Sequence, residues 1–168
     1  MEFQKLIRQR YSVRAYKNTP VEAQKLDRIL EAARLAPTAV NRQPFRLFVI
    51  KTSGRQEELR RIYNKDWFVN APVIIGICYL RGKGWARKDG KDFGGIDTAI
   101  VMDHLILAAT DEGLGTCWIG AFDPEAAREF LELPEDMEPV VFTPVGYPDI
   151  EPKEKRRKPL DELVTYLE

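Results

Sequence analysis

A chain of 168 residues has the length of one domain and can bury a sizeable core. Its 26 basic and 26 acidic side chains cancel, so no global field draws it to nucleic acid or an anionic membrane. Any anion site must therefore be local, in a protein whose 44% hydrophobic and 31% charged residues are ordinary for a soluble globular chain.

Met1 leads straight into Glu2-Phe3-Gln4-Lys5 with no apolar h-region, so no signal peptide is expected. Phe3, Leu6 and Ile7 give a short amphipathic helix that ends where Arg10-Tyr11-Ser12-Val13-Arg14 begins. If that segment runs extended, Arg10, Ser12 and Arg14 share one face. Two permanently charged planar forks with a hydroxyl between them suit a phosphate; the competing local reading is a solvated surface paired with carboxylates. Thr19-Pro20-Val21-Glu22 predicts a helix start, with Thr19 as N-cap and Pro20 at the first position. That helix would carry Leu26, Ile29, Leu30, Ala33 and Leu35 on one side and stop at Pro37.

Phe45 to Ile50 reads as a strand, and Ser53-Gly54 turns the chain into a helix bearing Leu59, Ile62 and Tyr63. Pro72 to Leu80 is a near-continuous apolar run of strand length, expected to be central and covered on both faces. Arg81 to Lys91 is basic and glycine-rich, and predicts a mobile loop with one exposed aromatic, Trp85, a candidate substrate lid. Gly94 to Glu112 is the longest helix, with Asp97, His104 and Asp111 recurring every seven residues as a narrow wet stripe. A helix so apolar around the rest of its circumference suggests that a second chain covers part of it. Its charged residues also exclude a transmembrane span, and a cytoplasmic protein is expected. Thr116 to Ile119 predicts a short strand, Pro124 to Leu131 a helix, and Pro139 to Gly146 another strand; from Tyr147 onward the chain is charged and proline-punctuated. Neither repeat nor linker divides it, so residues 1–168 are expected to form a single domain of α+β class.

Several chemistries fall away. Gly82-Lys83-Gly84 and Gly113-Leu114-Gly115 begin dinucleotide fingerprints, but Arg87 and Trp118 stand at the third glycine positions. One histidine and two distant cysteines, Cys78 and Cys117, make no zinc site and no secreted disulfide framework. Cys117 with His104 could be a nucleophilic pair only if the fold joined them; a buried inert thiol is the usual outcome.

Four elements remain: Arg10 to Arg14, Pro37-Thr38-Ala39-Val40-Asn41-Arg42-Gln43-Pro44, Gly113 to Gly120, and Lys155-Arg156-Arg157-Lys158. In that order they resemble the nitroreductase family of FMN-dependent oxidoreductases, over almost the whole chain. The resemblance implies a mixed, mainly antiparallel sheet flanked by helices, a homodimer, and FMN sites at the subunit interface. Arg10 and Ser12 would hold the phosphate and ribityl end, and Arg14 would lie toward the pyrimidine edge near flavin N1/O2; Tyr11 stands where the family often has a second arginine. Pro37, Thr38, Ala39 and Asn41 would lie on a loop reaching the flavin bound mainly by the partner, with Ala39 where a serine is common. Trp118, Ile119, Gly120 and Ala121 would line the ring, with a backbone N–H at Gly120 or Ala121 facing N5. Arg157, two residues before Pro159, would contact the phosphate with Lys155 as its helper. The implied activity is hydride transfer from NADH or NADPH through the flavin to a nitroaromatic, quinone or similar small acceptor. Relatives that dehalogenate or fragment flavin, and a non-catalytic flavin-binding module, are the alternatives.

Overall fold

The computed structural model describes residues 2–167. Four strands, β1 (Phe45–Lys51), β2 (Val73–Leu80), β3 (Gly115–Thr116) and β4 (Met137–Gly146), pair antiparallel in the order β1-β2-β4-β3. Six helices flank them: α1 (Phe3–Gln9), α2 (Ala23–Arg34), α3 (Gln56–Ile62), α4 (Asp66–Val69), α5 (Gly94–Asp111) and α6 (Pro124–Phe130). The α+β class with a mainly antiparallel sheet is as expected.

The sheet is built around β2, buried along its length until Leu80. Side chains alternate across a strand. Val73, Ile75 and Ile77 join Ile29 and Ala33 of α2 and Val101 and Leu105 of α5 in one cluster. Ile74 joins a second cluster with Leu59 of α3, Phe68 of α4, Ala127 of α6 and Phe142. The continuous apolar run thus reflects two covered faces. Pro139 and Pro144 sit inside β4, which neighbours strands on both sides, and a register shift between Ile77 and Cys78 falls opposite Pro139.

Some boundaries differ from expectation. The second helix starts at Ala23, with Glu22 extended at the cap and no side-chain cap bond. The Glu22 carboxylate instead accepts from the Tyr147 hydroxyl at 2.7 and 2.8 Å, a contact no local pattern reveals. Leu35 follows the last helical residue and is 64% exposed, off the apolar side it was expected to share. The short strand ends at Thr116, because only an isolated bridge from Ile119 to Phe142 continues its pairing. Helix α4 was not foreseen; it is one turn long, too short to show a period. Trp85 is half-buried rather than exposed, its ring edge-on to Phe93 with centroids 5.0 Å apart. The wet stripe on α5 is broken. Asp97 is buried, and His104 is half-buried with a ring nitrogen 3.0 Å from Ile100 O.

Candidate functional site

Backbone and side-chain bonds bring the two ends of the chain together. After β4 the chain doubles back along the segment that follows α1. Lys17 N–H donates to Tyr147 O and Asp149 N–H to Ala15 O, each at 2.9 Å. The Tyr11 hydroxyl then donates to Ile150 O at 2.6 Å, which lays residues 150–157 against the arginine segment. A cavity of about 380 Å³ opens between them, lined by Arg10, Ser12, Arg14, Lys155 and Arg157, with Glu151 and Glu154 at its wall. Arg10, Arg14 and Arg157 form no ion pair with a carboxylate among the described residues. Lys155 Nζ donates to Ile7 O at 3.0 Å and to Arg8 O, satisfying the last carbonyls of α1. Burial, and then the charges of Arg10 and Arg157, hold its pKa below the ordinary lysine value. Three cations are crowded here without an ion pair to a carboxylate among the described residues.

The arginine segment also pairs with the strand that follows α5. Ser12 bridges Thr116 in parallel, and Val13 N–H donates to Thr116 O at 2.8 Å. Close approach requires a glycine at 115, since a Cβ there would sit 2.5 Å from Val13 Cγ2. Cys117 N–H donates to Thr143 Oγ1 at 3.1 Å, and Ile119 exchanges bonds of 2.9 and 3.1 Å with Phe142. These pin residues 116–119 to β4. The next two residues are free: Gly120 and Ala121 are exposed, and their N–H groups have no partner among the described residues. Trp118 is 43% exposed beside them, while the Ile119 side chain is buried. The Cys117 thiol is raised by burial, with Arg14, a Ser12 hydrogen bond and Arg10 pulling the other way, so it stays protonated near neutral pH.

Pro37, Thr38, Ala39 and Asn41 lie elsewhere. Ala39–Asn41 form a 3-10 turn. Ala39 N–H donates to Asp97 Oδ1 at 2.9 Å in the first turns of α5, about 25 Å along that helix from Gly113. The structure therefore joins the arginine segment to Gly115–Thr116 and to Arg157, and holds the 37–43 loop apart from that meeting. Two residues were missed by sequence reasoning. Trp67 lies under Arg14, with Cζ 5.9 Å from the ring centroid, and Asp97 anchors the loop. Neither carries a local signal. A larger hollow, about 730 Å³, lies by Val21, Lys51, Gln56 and Asn70 and has a single cation on its wall.

Fold and cleft together define an α+β protein with a cationic groove of the kind that holds a phosphate-bearing group. The chain belongs to the nitroreductase family, whose model matches residues 7–67 and 55–147. It is similar to a nitroreductase family protein of known crystal structure from Clostridium difficile 630, with 39% identity and a TM-score of 0.89 over 99% of this chain and 98% of that one. It is 30% identical over 175 residues to FMN reductase (NAD(P)H) of Bacillus subtilis (strain 168), covering 94% of this chain and 70% of that protein. An NADPH-dependent oxidoreductase of Staphylococcus aureus (strain bovine RF122 / ET3-1) is 28% identical over 94% of this chain and 70% of its own length.

Proposed function

We propose that this protein is an FMN-dependent oxidoreductase that takes hydride from NADH or NADPH and reduces a small electron-poor acceptor such as a nitroaromatic or a quinone. One observation carries the reading. Arg10 and Arg157, from opposite ends of the chain, converge with Lys155 and without carboxylate ion pairs among the described residues, on a segment that pairs through Ser12 with Thr116, in the stretch that leads on to the open amides of Gly120 and Ala121. The residues fit the cofactor: a phosphate dianion relieves the crowded charge, and exposed backbone at 120–121 admits a flat ring, since a Cβ at Gly120 would meet nothing within 4 Å.

When bound, FMN would supply the redox chemistry, hydride transfer through N5 of a ping-pong kind. The chain binds and orients. Arg10, Arg157 and Lys155 hold the phosphate, and Ser12 the ribityl end. Tyr11 has its hydroxyl committed to Ile150 O, so its part is to fix the arginine segment against the C-terminal segment. Arg14, over Trp67, is assigned to the pyrimidine edge near N1/O2, where a permanent positive charge offsets added negative charge. The N–H of Gly120 or Ala121 is assigned to N5, where a fixed amide dipole tunes the atom without offering a competing acid. Trp118 and Ile119 border that segment.

Pro37, Thr38, Ala39 and Asn41 are assigned to the pocket of a second copy, which supports a homodimer with two shared sites. Their separation along α5 from Gly115–Thr116 favours this, as does Ile96 on the same helix, left 43% exposed. No helix is long and apolar enough to cross a membrane among the described residues, and the chain is proposed to work in the cytoplasm as one domain.

The test is optical. Purified protein mixed with FMN and desalted should be yellow, and anaerobic NADH or NADPH should bleach it. Failure to retain FMN removes the proposal. A yellow protein indifferent to both donors would favour a flavin-dependent dehalogenase, a flavin-fragmenting enzyme or a non-catalytic binding module.

A further inference from the structure

We propose that Asp97 is a positioning residue that locks residues 38–43 into a strained shape and so sets where Thr38 and Asn41 meet the flavin, a role that rests on the reading of that loop given above. The residue is an unusual one to bury. Asp97 is 1% exposed, and only one carboxylate oxygen is spoken for: Oδ1 accepts from Ala39 N–H at 2.9 Å. Oδ2 is buried and has no hydrogen-bond partner among the described residues. A carboxylate so placed costs stability, which argues that it is kept for what it holds.

What it holds is strained. Val40, Asn41 and Gln43 have φ of 47, 57 and 50°, three left-handed residues within four positions and none a glycine. Val40 is the least suited, because its β-branch crowds the backbone there. Its side chain is 70% exposed, so no packing of its own explains the conformation. Such strain persists only where the surroundings over-determine the backbone. Within the loop, Thr38 Oγ1 accepts from Gln43 N–H at 3.0 Å, and Gln43 Nε2 donates to Asn41 Oδ1 at 3.0 Å. Those bonds move with the loop. Among the described residues two side-chain hydrogen bonds reach beyond it: Ala39 to Asp97, and Arg42 Nη1 to Gly84 O at 2.6 Å. Gly84 belongs to the 81–91 loop. Asp97 alone is carried by a helix, and it grips the residue immediately before Val40.

The experiment compares Asp97→Ala, Asp97→Asn, Asn41→Ala and the Asp97→Ala/Asn41→Ala double variant in FMN-loaded protein. Readouts are amide hydrogen exchange at 39–43, the visible circular dichroism of the bound flavin, and FMN affinity. Asp97→Ala should speed exchange at 39–43 about tenfold or more, alter the flavin dichroism and weaken FMN to the level of Asn41→Ala. The double variant should be no weaker than Asn41→Ala alone, because both changes remove one function. Asp97→Asn keeps an oxygen for Ala39 N–H and should restore all three readouts. Unchanged exchange at 39–43 in Asp97→Ala, or independent multiplication of the two affinity losses, would overturn the proposal. If Asn41→Ala leaves FMN affinity and dichroism untouched, the flavin reading of the loop falls, while faster exchange in Asp97→Ala still assigns the lock. Should Asp97→Ala not fold, Ala39→Pro removes the donor instead; Thr38 is already extended, as a residue before proline prefers, and the same results support or overturn.

Discussion

At the residue scale the cleft is a problem of unneutralised charge. Exposed arginines usually sit near carboxylates at little gain, but Arg10 and Arg157 have no such ion pair among the described residues and press on Lys155. A phosphate dianion is the ligand that this arrangement favours. Arg10→Ala or Arg157→Ala should therefore weaken FMN about tenfold or more, roughly the 1.5–3 kcal/mol of a charge-assisted hydrogen bond. Riboflavin, which lacks the phosphate, should bind almost as before. Flavin fluorescence titrations of both ligands decide it, since equal losses would mean that the arginines support folding and do not read phosphate.

At the scale of elements, β2 depends on a close approach to its neighbour. A Cβ at Gly76 would lie 2.7 Å from the Phe142 ring, which is buried and packed edge-on against Phe122. Replacing a strand glycine by alanine commonly gains about 0.4–1 kcal/mol through the unfolded chain, whereas overpacking costs about 1–3 kcal/mol. The clash should win, so Gly76→Ala is expected to lower the urea midpoint, and Phe142→Leu in the same chain should recover part of the loss.

Helices α2 and α5 are tied at one end by a different device. Arg28 grips both oxygens of Glu112 at 2.6 and 2.7 Å, and Lys25 Nζ donates to Glu112 O at 2.9 Å. The Arg28 hydrogen bonds hold the Glu112 carboxyl below the usual glutamate range. A lowered folded-state pKa means that the contribution is present above the unfolded value, about 4.3, and lost as pH falls through the folded one. Melting temperatures from pH 6 down to 3 should fall, and Arg28→Ala should remove part of that slope. An unchanged slope would mean that the pair is too solvated to matter.

At the scale of the whole molecule, the proposed site belongs to two chains. If Arg10 comes from one copy and Asn41 from the other, Arg10→Ala and Asn41→Ala homodimers each carry two damaged sites. Mixed dimers then hold one doubly damaged site and one intact site. Random reassociation should restore tight FMN binding to about a quarter of all sites. Titration after co-refolding reads this directly. Confirmed subunit exchange with no tight fraction would place each pocket within one chain.

Features whose cause is local are legible in the residues alone. An apolar run of strand length reads as a central strand wherever it lies, and β2 is buried on both faces. The α+β class, the long fifth helix and the family followed in the same way, because residue chemistry and period need no partner to be recognised. Tertiary structure decided what depends on residues far apart in the chain. Glu22 accepts from the Tyr147 hydroxyl, 125 residues away, and the helix starts at Ala23 and not beside Thr19. Asp97 fits a polar stripe by spacing, yet the 38–43 loop covers it and gives it one N–H to hold. Trp67 acquires its place only because the chain brings Arg14 over it. Periodicity is a short-range signal, whereas burial of a carboxylate or the partner of a cation is set by which distant segments pack together.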